Sequence, residues 1–142
     1  MADLSSLIRL HKHELDEKRQ ALGALYAEAA ELERQRRDLE REFKKEKEAV
    51  DATGDIHFTF ASYVEEVKKK RKAFDKADAD VNRRIEKAKE SMMETFSELK
   101  KYETAQEKRE EKEAEARRVK ESHVLDEIGI EGFRRKKSEG GE

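Results

Sequence analysis

Apolar side chains recur at alternating steps of four and three residues from Leu4 to Val50. The series runs Leu4, Ile8, His11, Leu15, Lys18, Leu22, Leu25, Ala29, Leu32, Arg36, Leu39, Phe43, Glu46, Val50. Most of these are apolar, and the positions between them are mainly Glu, Lys and Arg. An α-helix turns once every ~3.6 residues, so this spacing gathers the apolar groups into one narrow stripe. Sustained over so many turns, it predicts a coiled-coil seam rather than an ordinary amphipathic helix. A second seam follows at Phe60, Val64, Val67, Arg71, Phe74, Asp78, Val81, Ile85, Ala88, Met92, Thr95, Leu99, Tyr102 and Gln106.

Between the seams the pattern breaks. Gly54 is the single glycine between Gly23 and Gly129, and it suits the left-handed conformation that commonly ends a helix. The stretch Ile56-His57-Phe58-Thr59-Phe60 is β-branched and aromatic, and Thr59 or Ser62, the latter with Glu65, suits a helix cap. The expected organisation is a helix over 1–50, a turn over 51–61, a longer helix over 62–121 and a C-terminal docking segment with a polar tail over 122–142. A short turn forces antiparallel packing. If Val50 meets Phe60, then Phe43 meets Val67, Leu25 meets Ile85, Leu22 meets Ala88 and Ile8 meets Tyr102. Polar seam residues then face apolar ones: Arg36 meets Phe74, Lys18 meets Met92, and Arg36 lies about one turn from Asp78. The heptads alone would nearly tolerate a slipped pairing, so loop length selects the register. The predicted fold class is all-α, a long antiparallel two-helix coiled-coil hairpin.

Beyond Gln106 the second helix has no partner left in the first. Residues 107–121 are almost all charged, which suits either a solvated helix held by i,i+4 ion pairs or a frayed tail. Apolar residues then return as Val124, Leu125, Ile128, Ile130 and Phe133, interrupted by Gly129 and Gly132 and followed by Arg134-Arg135-Lys136-Lys137. An apolar cluster beyond a charged spacer, with nothing in the chain to cover it, reads as a docking segment.

Composition agrees with long helices: 48% of the 142 residues are charged, and proline is absent. The 33 basic and 35 acidic side chains are spread evenly, which argues against a nucleic-acid partner. The run Lys68-Lys69-Lys70-Arg71-Lys72 stands among Glu65, Glu66 and Asp75 and does not change that reading. With no cysteine, thiolate metal sites and disulfides are excluded. His11 and His13 point to different sides of a helix and make a poor metal pair. No phosphate loop or nucleophile motif is present, and two paired helices offer no pocket for a catalytic pair, so neither an enzyme nor a cofactor is expected. The opening residues lack an apolar run fit for a signal peptide, and no stretch suits a membrane span.

The stretches LIRLHKHELDEKRQAL (7–22), FSELKKYE (96–103) and LDEIGIEGFRRKK (125–137) resemble the flagellar export protein FliJ family. That resemblance implies an antiparallel coiled coil similar to the stalk (gamma) subunit of rotary ATP synthases. It implies a non-enzymatic component of the flagellar type III export apparatus, cytoplasmic and at the inner membrane's cytoplasmic face when assembled. The implied partners are the hexameric export ATPase, the linker of the membrane export gate, and export chaperones, with the free chain monomeric. Carried over by position, gate binding falls on Tyr63, Val67, Lys70 and Phe74, and ATPase binding on Leu4, Leu7, Ile8, Leu125, Ile128 and Phe133. Alternative readings are a self-associating structural coiled coil and an export chaperone or adaptor.

Overall fold

The computed structural model describes residues 3–54 and 58–139, with the side chains of the last two left aside. Two helices form an all-α hairpin: α1, Ser5–Thr53, and α2, Phe58–Glu139. Helix α1 continues past the end of its seam, and Thr53 Oγ1 donates to the Val50 carbonyl at 3.0 Å. Gly54 then takes φ 71°, and its N–H donates to the Val50 carbonyl at 3.1 Å. This is the left-handed C-terminal stop expected there, open to glycine because a Cβ would clash with the backbone. Helix α2 already starts at Phe58, so Thr59 and Ser62 lie inside it and cap nothing. Asp55, Ile56 and His57 of the expected turn lie outside the described residues.

The seam residues are the ones the fold covers. Every position of both series is buried or half-buried except Glu46, which is exposed. The chain forms two compact units, His11–Ser97 and Met1–Leu10 with Glu98–Glu142. Within the first, Leu22, Val81 and Ile85 make a core joined by Leu25, Ala29, Leu32, Ala88 and Met92. Among them are Leu22 with Ala88 and Leu25 with Ile85, which the expected register brings face to face. Among the described residues Val67 and Val81, each 1% exposed, are the most deeply buried apolar side chains. Burying such a side chain contributes roughly 2 kcal/mol.

Polar seam residues cross between the helices instead of pointing away. Lys18 Nζ donates to the Ser91 carbonyl at 3.2 Å and to the hydroxyl of buried Thr95. Arg36 pairs with Asp78 at 2.7 Å and with Asp75 at 3.0 Å, and its guanidinium lies 6.0 Å from the Phe74 ring centre. Arg71 grips Glu40 at 2.6 Å and lies 4.9 Å from the Phe43 ring centre. Arg84 pairs with Glu28 at 2.5 Å.

In the other unit, Gln106 ties the start of α1 to α2. Its side-chain oxygen accepts the Leu4 N–H at 3.2 Å, and its amide donates to Asp3 at 3.0 Å. Asp3 accepts from the Ser5 N–H and hydroxyl at 3.2 and 2.8 Å, satisfying donors that a helix N-terminus leaves free. The Ser5 hydroxyl and N–H, with Gln106 and Arg109, hold the Asp3 carboxyl below its ordinary range.

Candidate functional site

Two regions carry the residues singled out from the sequence, and their geometry differs. Near the start of α2, Tyr63, Val67, Lys70 and Phe74 share a stripe, but the fold uses most of it internally. Val67 lies within the interhelical layer, and Phe74 is half-buried beneath Arg36. Tyr63 is also drawn into the packing. Its ring centre is 6.3 Å from Phe43, stacked at 26°, and 6.3 Å from Phe60. Its hydroxyl is buried with no hydrogen-bond partner among the described residues. Burial raises the Tyr63 hydroxyl's pKa above the usual tyrosine range, and the charges of Glu42 and Glu46 add to this. The flanking spacing of Tyr63 hid this role, because a long aromatic ring reaches the seam from a neighbouring position. Of the four residues only Lys70 is exposed.

The six residues assigned to ATPase binding do not form one patch. Leu4, Leu7 and Ile8 are half-buried at the start of α1, where Leu4 meets Gln106. Leu125 lies roughly 28 Å further along α2 at ~1.5 Å of rise per residue. Residues 115–137 of α2 are all exposed, including Leu125 at 68% and Phe133 at 67%. The helix runs without a break through Gly129 and Gly132 to Glu139. Neither glycine has a positive φ, and a Cβ would meet nothing within 4 Å at either. Residues 122–139, part of the segment set apart in the sequence by its glycines, are therefore helical. Arg118 pairs with Glu115 at 2.7 Å on the charged stretch before it.

Further exposed apolar side chains are Leu10, Tyr26, Phe58 and Met93. The seam pattern gave no reason to select them, because each lies off both stripes. Among the described residues no group of acidic and histidine side chains could hold a metal ion, and no helix is long and apolar enough to cross a membrane.

An antiparallel coiled-coil hairpin with an unpaired, partly apolar helix is the class that fold and surface define. Residues 1–138 match the family model described as flagellar FliJ protein, and the chain belongs to that family. It is thereby a structural component of flagellar protein export, acting within the export apparatus. No curated protein and no solved structure matches the chain.

Proposed function

We propose that this chain is the central stalk of the flagellar export apparatus. It binds and stimulates the hexameric export ATPase and links it to the membrane export gate and to export chaperones. One observation carries this reading: α2 continues well beyond its last contact with α1 as a single helix with uncovered Leu125, Ile128 and Phe133. Uncovered apolar clusters mark partner sites. A lone helix suits a narrow opening such as the centre of a ring. The hairpin supplies a stiff support, and its work is binding, with no chemistry of its own.

Gate binding, in this reading, uses the exposed Lys70 and the accessible parts of Tyr63 and Phe74. Val67 acts from beneath, by holding α2 in place. Purified export ATPase mixed with the full chain tests the proposal by co-sedimentation and steady-state ATP hydrolysis. A stable complex with faster hydrolysis is expected. An ATPase that neither binds the chain nor responds to it overturns the stalk role and favours a self-associating or cargo-holding coiled coil.

A further inference from the structure

One flank of α1 carries a second stripe beside the seam, and it lies wholly within the unit His11–Ser97. It repeats at the same alternating steps of four and three residues, so its members share one side of the helix. Its ends are charged, with Lys12, Asp16 and Arg19 at one and Glu33, Arg37 and Glu40 at the other. Its middle is Gly23, Tyr26 and Ala30, and all nine residues are exposed. Gly23 answers no need within the chain. It sits mid-helix, where glycine lowers stability, its φ is not positive, and a Cβ there would meet nothing within 4 Å. A glycine suits a place where a second backbone comes close.

The stripe is complementary to its own reverse. Laid antiparallel against a copy of itself about Tyr26, it sets Lys12 against Glu40, Asp16 against Arg37 and Arg19 against Glu33. Gly23 then faces Ala30, and Tyr26 faces its twin. A parallel pairing in register would set every charge against its like. A slip of one heptad either way keeps one of the three oppositely charged pairings within the stripe. Inside the chain Arg19 already lies 3.7 Å from Asp16, and Arg37 lies 3.5 Å from Glu33. The antiparallel copy joins these two pairs into a closed ring of four charges, once on each side of Tyr26. Such networks outweigh isolated surface pairs. We propose that two copies of this chain associate through this flank of α1, antiparallel, about a two-fold axis at Tyr26. The seam residues keep facing α2, and the contact does not depend on the stalk reading. The stripe is about 42 Å long at ~1.5 Å of rise per residue and one helix wide. A contact of that size makes a reversible pair, and the dilute chain is monomeric.

Sedimentation of the full chain at rising concentration, from about 1 to about 500 μM, tests the pairing, since weak interfaces assemble within that range. The native chain should pass from monomer to dimer at physiological salt, and the dimer should weaken at high salt. The variant R19E/R37E sets acid against acid on both sides of Tyr26 and should weaken the dimer about tenfold or more. The fourfold exchange D16R/R19E/E33R/R37E restores every pairing. It should dimerise again, and it should not pair with the native chain. Gly23→Gln should raise the hairpin's melting temperature and weaken the dimer about tenfold or more, which separates loss of contact from loss of fold. The chain has no cysteine, so Lys12→Cys mixed with Glu40→Cys should cross-link cleanly, and Lys12→Cys alone should not. A chain that stays monomeric throughout leaves the flank to some other protein and overturns the proposal. A dimer indifferent to R19E/R37E and Gly23→Gln lies on another surface and overturns it too. Cross-linking of Lys12→Cys to itself would establish a parallel pair and contradict the antiparallel one.

Discussion

Arg36 Nη2 meets Asp78 Oδ2 at 2.7 Å across the hairpin, a pair formed by one seam position of α1 and one of α2. Its weight lies in alignment. The two seams repeat so evenly that a slip of one heptad would still bury apolar groups against apolar groups. It would also carry Asp78 and Phe74 away from Arg36. Ion pairs still in contact with water, as this half-buried one is, stabilise by only about 0–1 kcal/mol, so the pair selects the register more than it holds the helices together. Arg36→Asp and Asp78→Arg should each lower the melting temperature, and the double exchange should recover part of the loss. A double-mutant cycle should give a coupling of roughly 0.5–1 kcal/mol. Strictly additive losses would show that the pair does not fix alignment.

Tyr63 is expected to act through its ring. Tyr63→Ala removes the stack on Phe43 and Phe60 and should cost about 2–3 kcal/mol, the lower end of aromatic truncations because the site is half-buried. Tyr63→Phe should leave stability unchanged or raise it by up to about 1 kcal/mol, since a buried hydroxyl without a partner carries a desolvation cost. Chemical denaturation of the two variants reads both effects. A clear loss in Tyr63→Phe would mean that the hydroxyl is satisfied by some group the described residues do not include.

Acid should loosen the hairpin near Glu40. The hydrogen bond from Arg71 holds the Glu40 carboxyl below its ordinary value of 4.5, with the charges of Arg71 and Arg36 adding to this. A depressed carboxylate stabilises the fold above its unfolded pKa, and that contribution disappears as pH falls through the lowered value. The melting temperature of the native chain should therefore exceed that of Glu40→Gln at neutral pH, and the gap should close as the pH falls from the ordinary carboxylate value through the lowered one. A gap that persists under strong acid would assign the effect to packing.

Gly129 and Gly132 weaken the terminal helix without serving a turn. Glycine within a helix costs roughly 1 kcal/mol relative to alanine, and both sites have room for a Cβ. Gly129→Ala and Gly132→Ala should raise helical content, and hydrogen exchange over 122–139 should slow. Unchanged exchange in both variants would indicate that the segment's helicity is not limited by these residues.

The hairpin was readable from the spacing of apolar groups, because a seam of two helices needs little else. Arg36 facing Phe74, and Asp78 within reach of Arg36, followed from counting alone. Positions set by side-chain reach escaped that counting. Tyr63 sits off the seam by number yet packs into it, and α2 begins at Phe58 without either suggested cap. The break suggested by Gly129 and Gly132 reflected composition, whereas two glycines in an otherwise helix-forming stretch lower helix stability without ending it. The partner surfaces were the least legible part. A seam is specified by residues within one chain, while a docking surface is specified jointly with a second molecule. That is why Leu4 and Leu125, both apolar and near chain ends, looked equivalent in the sequence and occupy different levels of α2.

The central claim is that the uncovered end of α2 is what the export ATPase recognises. The most direct measurement is the hydrolysis rate of purified export ATPase with the full chain and with a chain ending at Glu121, at matched concentrations. The truncation removes no seam position, so both chains should melt alike. The account predicts stimulation by the full chain and none by the shortened one. Full stimulation by the shortened chain would contradict it and move the contact to Leu4, Leu7 and Ile8 at the start of α1.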